Sequence, residues 1–284
     1  MAIKRECHDC LHRLVDLTVG LAAVGPILQQ RARKEALDII KEEFKPGAVP
    51  ALIATRFHRA IQDLTGNPDP FFSRKSVETS FLRRMYDRIS PTYHKDLDSR
   101  LRLAAVGNAI DFFREKDEVT REMVSQVSWT HADLEQFHQQ LGPPGGIVLY
   151  LADNAGEQFF DRPLVAYLRR QGWKVIYVVK GGPIQNDLTR DDLYASGLRE
   201  AFEPLLDTGA ATVGLALAET SAIFQKFYGA ANLILAKGMG HFETLSHLYD
   251  PRLFFLLQAK CSPVAQALGV PQRSFVLRQS PAPE

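Results

Sequence analysis

Four short stretches of this chain combine carboxylates, amides, lysines and glycines in a pattern suited to holding an anion beside a hard cation. They are Asp153-Asn154-Ala155-Gly156-Glu157, Lys180-Gly181-Gly182 with Asn186-Asp187, Lys237-Gly238-Met239-Gly240, and Lys260-Cys261. Asp153 and Asn154 offer a carboxylate oxygen and an amide carbonyl oxygen, and Asp187 adds a second carboxylate. Hard oxygen donors of this kind suit Mg²⁺ or Mn²⁺, with the remaining positions left to water and a substrate phosphate. Taken singly, Asp153 or Asn154 also reads as a helix cap; two aspartates, each beside glycines, shift the balance towards a metal. Glycines 156, 181, 182, 238 and 240 allow backbone N–H groups to approach an anion closely. Lys237 or Lys260 supplies a point charge for a phosphate. Glu157, or a carboxylate not fully engaged by metal, is the candidate acceptor for a water proton.

Other signals are thinner. Cys7 and Cys10 have the spacing of metal ligands, but no second pair completes a tetrahedral zinc site. Cys261 is a third thiol that the fold can bring to them or leave as packing. There is no GxSxG turn for a serine nucleophile, and His8 and His12 lack the intervening Glu of a zinc protease.

Each chemical stretch follows a run that reads as a strand. Ile147 to Leu151 precedes Asp153, Lys174 to Val179 precedes Lys180, Leu233 to Ala236 precedes Lys237, and Arg252 to Leu257 precedes Lys260. Ala211 to Val213 reads as a weaker strand and Ser274 to Leu277 as a last one. Helical patterns lie between them, near 157–171, 191–196 and 217–228. Short apolar runs alternating with helices predict a largely parallel α/β sheet covered on both faces, and ligands of such sheets bind beyond the carboxyl ends of the strands. Residues 1–140 have a different grammar: amphipathic helices, as at 31–44, 76–89 and 97–113, broken by Pro26, Pro46, Pro50, Pro68 and Pro70. Pro143-Pro144-Gly145-Gly146 marks the change, giving a helical domain over 1–140 and an α/β domain over 141–284.

Composition narrows the classes. With 34 Lys and Arg against 33 Asp and Glu, the net charge is +1, without the basic excess of a nucleic-acid or membrane-surface protein. No run approaches the roughly 18 apolar residues of a membrane span, and Met1 to Asp9 holds no apolar signal region. Three cysteines are too few for a secreted scaffold, so a cytoplasmic location is expected. Composition leaves the oligomeric state open.

Leu151 to Glu157, Lys180 to Pro183 with Asn186 and Asp187, Lys237 to Gly240 with Phe242 and Glu243, and Lys260-Cys261 together resemble the signature series of the metal-dependent damage-control phosphatase family. This family is also called ARMT-like and was long listed as a domain of unknown function. Cys7 and Cys10, and Ala105-Val106-Gly107-Asn108 with Asp111, resemble its prokaryotic stand-alone branch. The resemblance runs nearly the length of the chain, in order. It implies a helical N-terminal domain packed on a three-layer α/β/α domain, and hydrolysis of small phosphorylated metabolites with one divalent metal (Mn²⁺, Mg²⁺, Co²⁺ or Ni²⁺). It implies Asp153, Asn154 and Asp187 as metal ligands and Lys260 as the phosphate-contacting lysine. Asn108 and Asp111 would meet the site from the helical domain. Other branches carry an Arg three residues before that lysine, where this chain has Leu257, so no sugar-phosphate specificity is transferred.

Three rival readings follow from the same residues. A phospho-aspartyl phosphatase would use Asp153 as nucleophile but expects a second Asp where Ala155 stands. A protein carboxyl methyltransferase using S-adenosylmethionine would show a glycine-rich turn after its first strand, where this chain has a polar turn with one glycine. A non-catalytic module binding a metal or a phosphometabolite would use the same oxygens without turnover.

Overall fold

The computed structural model describes residues 1–23, 25–109, 116–124 and 127–280, so Asp111 lies outside the described residues. Six helices come first: α1 (Glu6–Ala22), α2 (Pro26–Glu43), α3 (Pro50–Thr65), α4 (Phe72–Ile89), α5 (Leu97–Gly107) and α6 (Lys116–Val124). Pro26 and Pro50 occupy the first turns of α2 and α3, where a missing N–H breaks no intrahelical bond. Asp96 caps α5 by accepting the Ser99 N–H at 2.8 Å.

These helices divide into two groups. Val15, Ala32, Ile40, Phe57 and Ile61 of α1–α3 form a core of their own, which also takes in Ile184 and Val213. Leu82 and Met85 of α4, Leu101 of α5 and Val119 of α6 instead join a core under one face of the sheet.

The remainder runs β1 (Trp129–Ala132), α7 (Leu134–Leu141), β2 (Ile147–Leu151), α8 (Gln158–Arg170), β3 (Lys174–Val179), α9 (Arg190–Ala195), α10 (Arg199–Phe202), β4 (Leu205–Asp207), α11 (Ala222–Ala230), β5 (Leu233–Lys237), α12 (Gly238–Leu245), β6 (Leu253–Gln258), α13 (Ser262–Leu268) and β7 (Phe275–Gln279). The strands form one seven-stranded sheet in the order β1-β7-β6-β5-β2-β3-β4. Every neighbouring pair is parallel except β6 with β7. Successive side chains alternate between two buried faces. Val148, Tyr150 and Tyr177 pack with α4, α5 and α8, while Leu149, Leu151 and Val178 pack with Phe224 of α11, Phe242 of α12 and Val264 of α13. Burial on both faces is why these strands read as continuous apolar runs. The architecture is three-layer α/β/α with a helical N-terminal region, as expected.

Two details differ from expectation. Ala211 to Val213 is not a strand. The strand after β3 is Leu205–Asp207, paired with Tyr177 to Val179, whereas Val213 donates its N–H to Thr55 Oγ1 of α3 at 3.0 Å and buries its side chain among α1–α3. The second is β1, which carries no strand signal. It lies before the Pro143–Gly146 breakpoint yet pairs with β7, so the sheet draws residues from both sides of that breakpoint. No helix among the described residues is long and apolar enough to cross a membrane.

Candidate functional site

The strands that carry the chemical stretches stand side by side, in the order β6-β5-β2-β3. From β2 the chain crosses one face through α8 to β3; it enters β5 from the other face through α11. The strands β2 and β5 therefore flank a topological switch point, where the crevice beyond the carboxyl ends takes ligands. Asp153 follows β2 and Gly238 follows β5, on either side of that crevice.

Backbone bonds stitch the loops after β2 and β3 together. Leu188 N–H donates to Asp153 O and Ala155 N–H to Asn186 O, both at 2.8 Å, and Asn154 and Asp187 form an isolated antiparallel bridge. Asp153, Asn154 and Asp187 are thus carried on adjoining turns. Asp153 and Asp187 are buried. Burial, then the charges of Glu157 and Asp187, push Asp153 up to about 8 against the opposing Lys260 and Lys180. Burial likewise raises Asp187, with Lys180 opposing. Asp187 Oδ2 is buried and receives no aligned hydrogen bond; the Lys180 ammonium lies 3.2 Å away. A buried carboxylate oxygen facing the Lys180 ammonium, a neighbouring carboxyl held far above its usual range, and an amide form the oxygen set. That set fits a hard divalent cation. Among the described residues no three His, Cys, Asp or Glu side chains gather as a metal site on their own; the candidate set takes its third oxygen from an amide.

The backbone of Gly238 closes the other wall. Its φ is +82°, and a Cβ there would lie 1.9 Å from Asp153 Oδ2, so only glycine lets the start of α12 sit against this carboxylate. The first N–H groups of α12 have no intrahelical acceptor, and a helix N-terminus of this kind suits an anion.

Beneath Asp153 lies a polar network with no exposure to solvent. Glu157 Oε2 is 2.6 Å from Lys237 Nζ, which also lies 2.6 Å from Asp161 Oδ1. Asp161 in turn accepts from Tyr150 and Tyr177 hydroxyls at 2.7 and 2.6 Å. Burial pushes Glu157 up, but Lys237, Lys260 and its hydrogen bonds outweigh this and leave it below the usual range. Burial opposes the charge on Lys237, and Asp161 and Glu157 overcome that and hold it protonated. Lys237 is thus a buried counter-charge under the site, which corrects the expectation that it meets a phosphate.

The other expected residues separate into two groups. Asn108, at the end of α5, reaches the centre: its Nδ2 donates to Asp153 Oδ2 at 2.8 Å and Glu157 Oε1 at 2.9 Å. Lys260, beyond β6, is partly exposed, and its charge acts on both Asp153 and Glu157. Gly156 and Gly181 do not offer their N–H groups to an anion. Gly156 N–H donates to Gln158 Oε1 at 2.5 Å, and Gly181 N–H to Ala210 O at 3.0 Å and Thr208 Oγ1 at 3.1 Å. Gly181 and Gly182 instead admit the close approach of the 209–211 segment.

Lys180 stands in one of the four chemical stretches, but the sequence assigns it no role. It is buried against Gly214 O and Asp187, with His241 Nε2 at 3.4 Å. Also unexpected is a clamp on the loop bearing Asp187, made by side chains of α3 and α4. Gln62 Nε2 donates to Pro183 O at 3.0 Å, Asn186 Nδ2 donates to Glu78 Oε2 at 3.0 Å, and Lys75 Nζ reaches Asp192 at 2.8 Å. Gln185, at φ +46°, lies 2.9 Å from His58 Nε2. His58 Nδ1 is 3.3 Å from Thr18 Oγ1, whose own proton goes to Leu14 O, so Nδ1 carries the ring proton and Nε2 accepts from Gln185.

Burial pushes His58 down to about 3. The unfolded chain binds a proton below the ordinary histidine pKa near 6.5 and the folded protein does not, so this residue's contribution to stability is lost as pH falls. The expected slope is about 1.4 kcal/mol per pH unit between roughly 6.5 and 3. Urea midpoints of wild type and His58→Gln measured across that range should converge towards acid pH; parallel curves would contradict it.

No disulfide joins Cys7, Cys10 or Cys261. Burial, then Glu243, Cys10 and Cys7, outweigh a backbone hydrogen bond and push the Cys261 thiol up to about 12, and burial also raises Cys7. Such thiols are poor nucleophiles.

The chain matches the damage-control phosphatase ARMT1-like domain over residues 3–276. It is 33% identical over 282 residues to a protein of Pyrococcus horikoshii named damage-control phosphatase, covering 97% of each chain. It is 29% identical over 277 residues to an Archaeoglobus fulgidus protein of the same name, covering 95% of this chain and 96% of that one. The crystal structure of a DUF89 family protein from Pyrococcus horikoshii superposes with a TM-score of 0.87 at 32% identity, covering 99% of both chains.

Proposed function

The chain belongs to the damage-control phosphatase ARMT1-like domain family and is a damage-control phosphatase, a hydrolase; from that premise we propose that it cleaves small phosphorylated metabolites, as phosphomonoesters, with one divalent metal held by Asp153, Asn154 and Asp187. The observation that carries the metal reading is the donor set itself: two buried aspartates with raised pKa values on stitched turns, with the amide of Asn154 between them in the chain.

A divalent ion such as Mn²⁺, Mg²⁺, Co²⁺ or Ni²⁺ supplies Lewis-acid polarisation of the phosphoryl group and of the attacking water. The residues of the chain do the rest. Lys260 and the first N–H groups of α12 neutralise phosphate oxygens as charge redistributes during in-line displacement. Lys180 sets its Nζ 3.2 Å from Asp187 Oδ2. Burial of the aspartates in the crevice strengthens each of these interactions by excluding water. Glu157 is engaged at both oxygens, Oε2 by Lys237 and Oε1 by two amides, and its pKa is held low; Asp153 and Asp187, both raised, are the more basic acceptors for the water proton.

The test is phosphate release from a panel of phosphorylated sugars, nucleotides and cofactor intermediates. Turnover should be abolished by EDTA and restored by one or more of Mn²⁺, Co²⁺, Ni²⁺ and Mg²⁺. Hydrolysis that survives chelation would reject the metal reading while leaving the phosphatase in place.

A further inference from the structure

An asparagine amide offers an oxygen at one end and an NH₂ at the other, and only the oxygen end can ligate a cation. In Asn154 one end of the amide lies 2.8 Å from Asp153 Oδ2 and 2.7 Å from Glu157 Oε1. Two carboxylate acceptors at those distances admit only the NH₂ group, so Oδ1 occupies the opposite end. Asn108 repeats the pattern, with Nδ2 at 2.8 Å from Asp153 Oδ2 and 2.9 Å from Glu157 Oε1. Its Oδ1 accepts the backbone N–H of Gln258 at 3.2 Å, which fixes that amide independently.

Glu157 Oε1 and Asp153 Oδ2 are thus the two acceptors that both amides share. The other oxygen of Glu157 is anchored at 2.6 Å by Lys237, itself held by Asp161 and through it by two tyrosines. Glu157 is 1% exposed and Lys237 and Asp161 are 0% exposed. Buried, Glu157 Oε1 needs donors of its own, and the donors it takes are the two amides that also meet Asp153.

We infer that Glu157 is a positioning residue for the metal site: pinned from below by Lys237 and Asp161, it takes the NH₂ of Asn154 and thereby keeps Asn154 Oδ1 free for a cation. The inference rests on the metal reading above. It assigns Glu157 neither a proton to carry nor a substrate to touch. Partners that orient metal ligands in this way typically change metal affinity 10–100-fold when removed.

Mn²⁺ and Mg²⁺ titrations by calorimetry on wild type, Glu157→Gln and Glu157→Asp test it. In Glu157→Gln the new amide turns its oxygen to Lys237 and its NH₂ to the asparagines, which reverses Asn154; Mn²⁺ affinity should fall about 10–100-fold. Glu157→Asp keeps the charge but withdraws it by one carbon–carbon bond, about 1.5 Å, and should bind about as weakly as Glu157→Gln. A Glu157→Gln protein that folds and binds Mn²⁺ like wild type overturns the inference. So does a Glu157→Asp protein with wild-type affinity beside a weak Glu157→Gln, because charge alone would then suffice.

Side-chain amide hydrogen exchange on the metal-free wild type needs no variant to fold. The NH₂ protons of Asn154 and Asn108 should exchange at least about tenfold more slowly than exposed side-chain amides, as groups in charge-assisted hydrogen bonds do. Unprotected Asn154 protons overturn the inference. Wild-type protein that takes up neither Mn²⁺ nor Mg²⁺ fails the metal reading, and the role of Glu157 with it, whatever the amides show.

Discussion

Gly238→Ala is expected to lose Mn²⁺ binding and to reduce kcat about 10³-fold. A methyl group at this position would lie 1.9 Å from Asp153 Oδ2 and 2.3 Å from its Cγ, far inside contact distance. Either the carboxylate swings out of the crevice or the start of α12 retreats from it. The first displaces a proposed metal ligand, and the second removes the N–H groups proposed to meet the phosphate. The left-handed φ of +82° adds roughly 1–2 kcal/mol of backbone strain for any residue with a Cβ. Withdrawing an ion that contributes several kcal/mol of charge stabilisation corresponds to about three powers of ten in rate, at about 1.4 kcal/mol each. Calorimetric Mn²⁺ titration with steady-state phosphatase assays checks this. An alanine variant that folds and turns over at more than a tenth of the wild-type rate would contradict it.

Asp187→Ala should lower activity by about the same 10³-fold and keep the fold. Its carboxylate is buried, is raised in pKa by that burial, and has an oxygen with no aligned donor. Removing one partner of the buried Lys180–Asp187 pair costs about 3–5 kcal/mol, offset in part by relief of the burial that raises Asp187. Lys180, its ionic neighbour, retains Gly214 O and the ring nitrogen of His241. The metal-free variant should therefore keep a wild-type far-ultraviolet circular dichroism spectrum and unfold cooperatively, with activity lost at any Mn²⁺ concentration within the wild-type working range. Loss of the fold together with activity would make Asp187 a structural residue; retained activity would remove it from the ligand set.

Much of this site is legible in the amino-acid sequence because its parts follow strands. The runs Ile147–Leu151, Lys174–Val179, Leu233–Lys237 and Leu253–Gln258 are buried on both faces, so they stand out as apolar and fix where the polar loops begin. Asp153, Asn154, Asp187, Gly238 and Lys260 are marked by their place after those strands. The fate of Lys237 is hidden, since whether it faces solvent or lies buried depends on Asp161, a residue 76 positions away in the chain. The clamp on the Asp187 loop is hidden for the same reason: Glu78 meets Asn186 across 108 positions, and His58 meets Gln185 across 127. Gly156 and Gly181 mislead because a glycine after a strand serves tight packing as readily as anion binding. Their N–H groups show which of the two applies. At the sheet margins the signal fails physically. β1 is mostly half-buried and β4 is three residues long, so neither carries an apolar run that distinguishes a strand from a loop.

Three oxygen-bearing side chains from two stitched loops, holding one dication, are the centre of the proposed chemistry. Crystals soaked in Mn²⁺ and measured at the manganese absorption edge locate the ion directly. A single anomalous peak within about 2.0–2.4 Å of Asp153, Asn154 Oδ1 and Asp187 oxygens is the predicted result, given the distances hard divalent ions keep to oxygen. A peak elsewhere in the molecule, or none in crystals whose protein remains active after chelation, would contradict it.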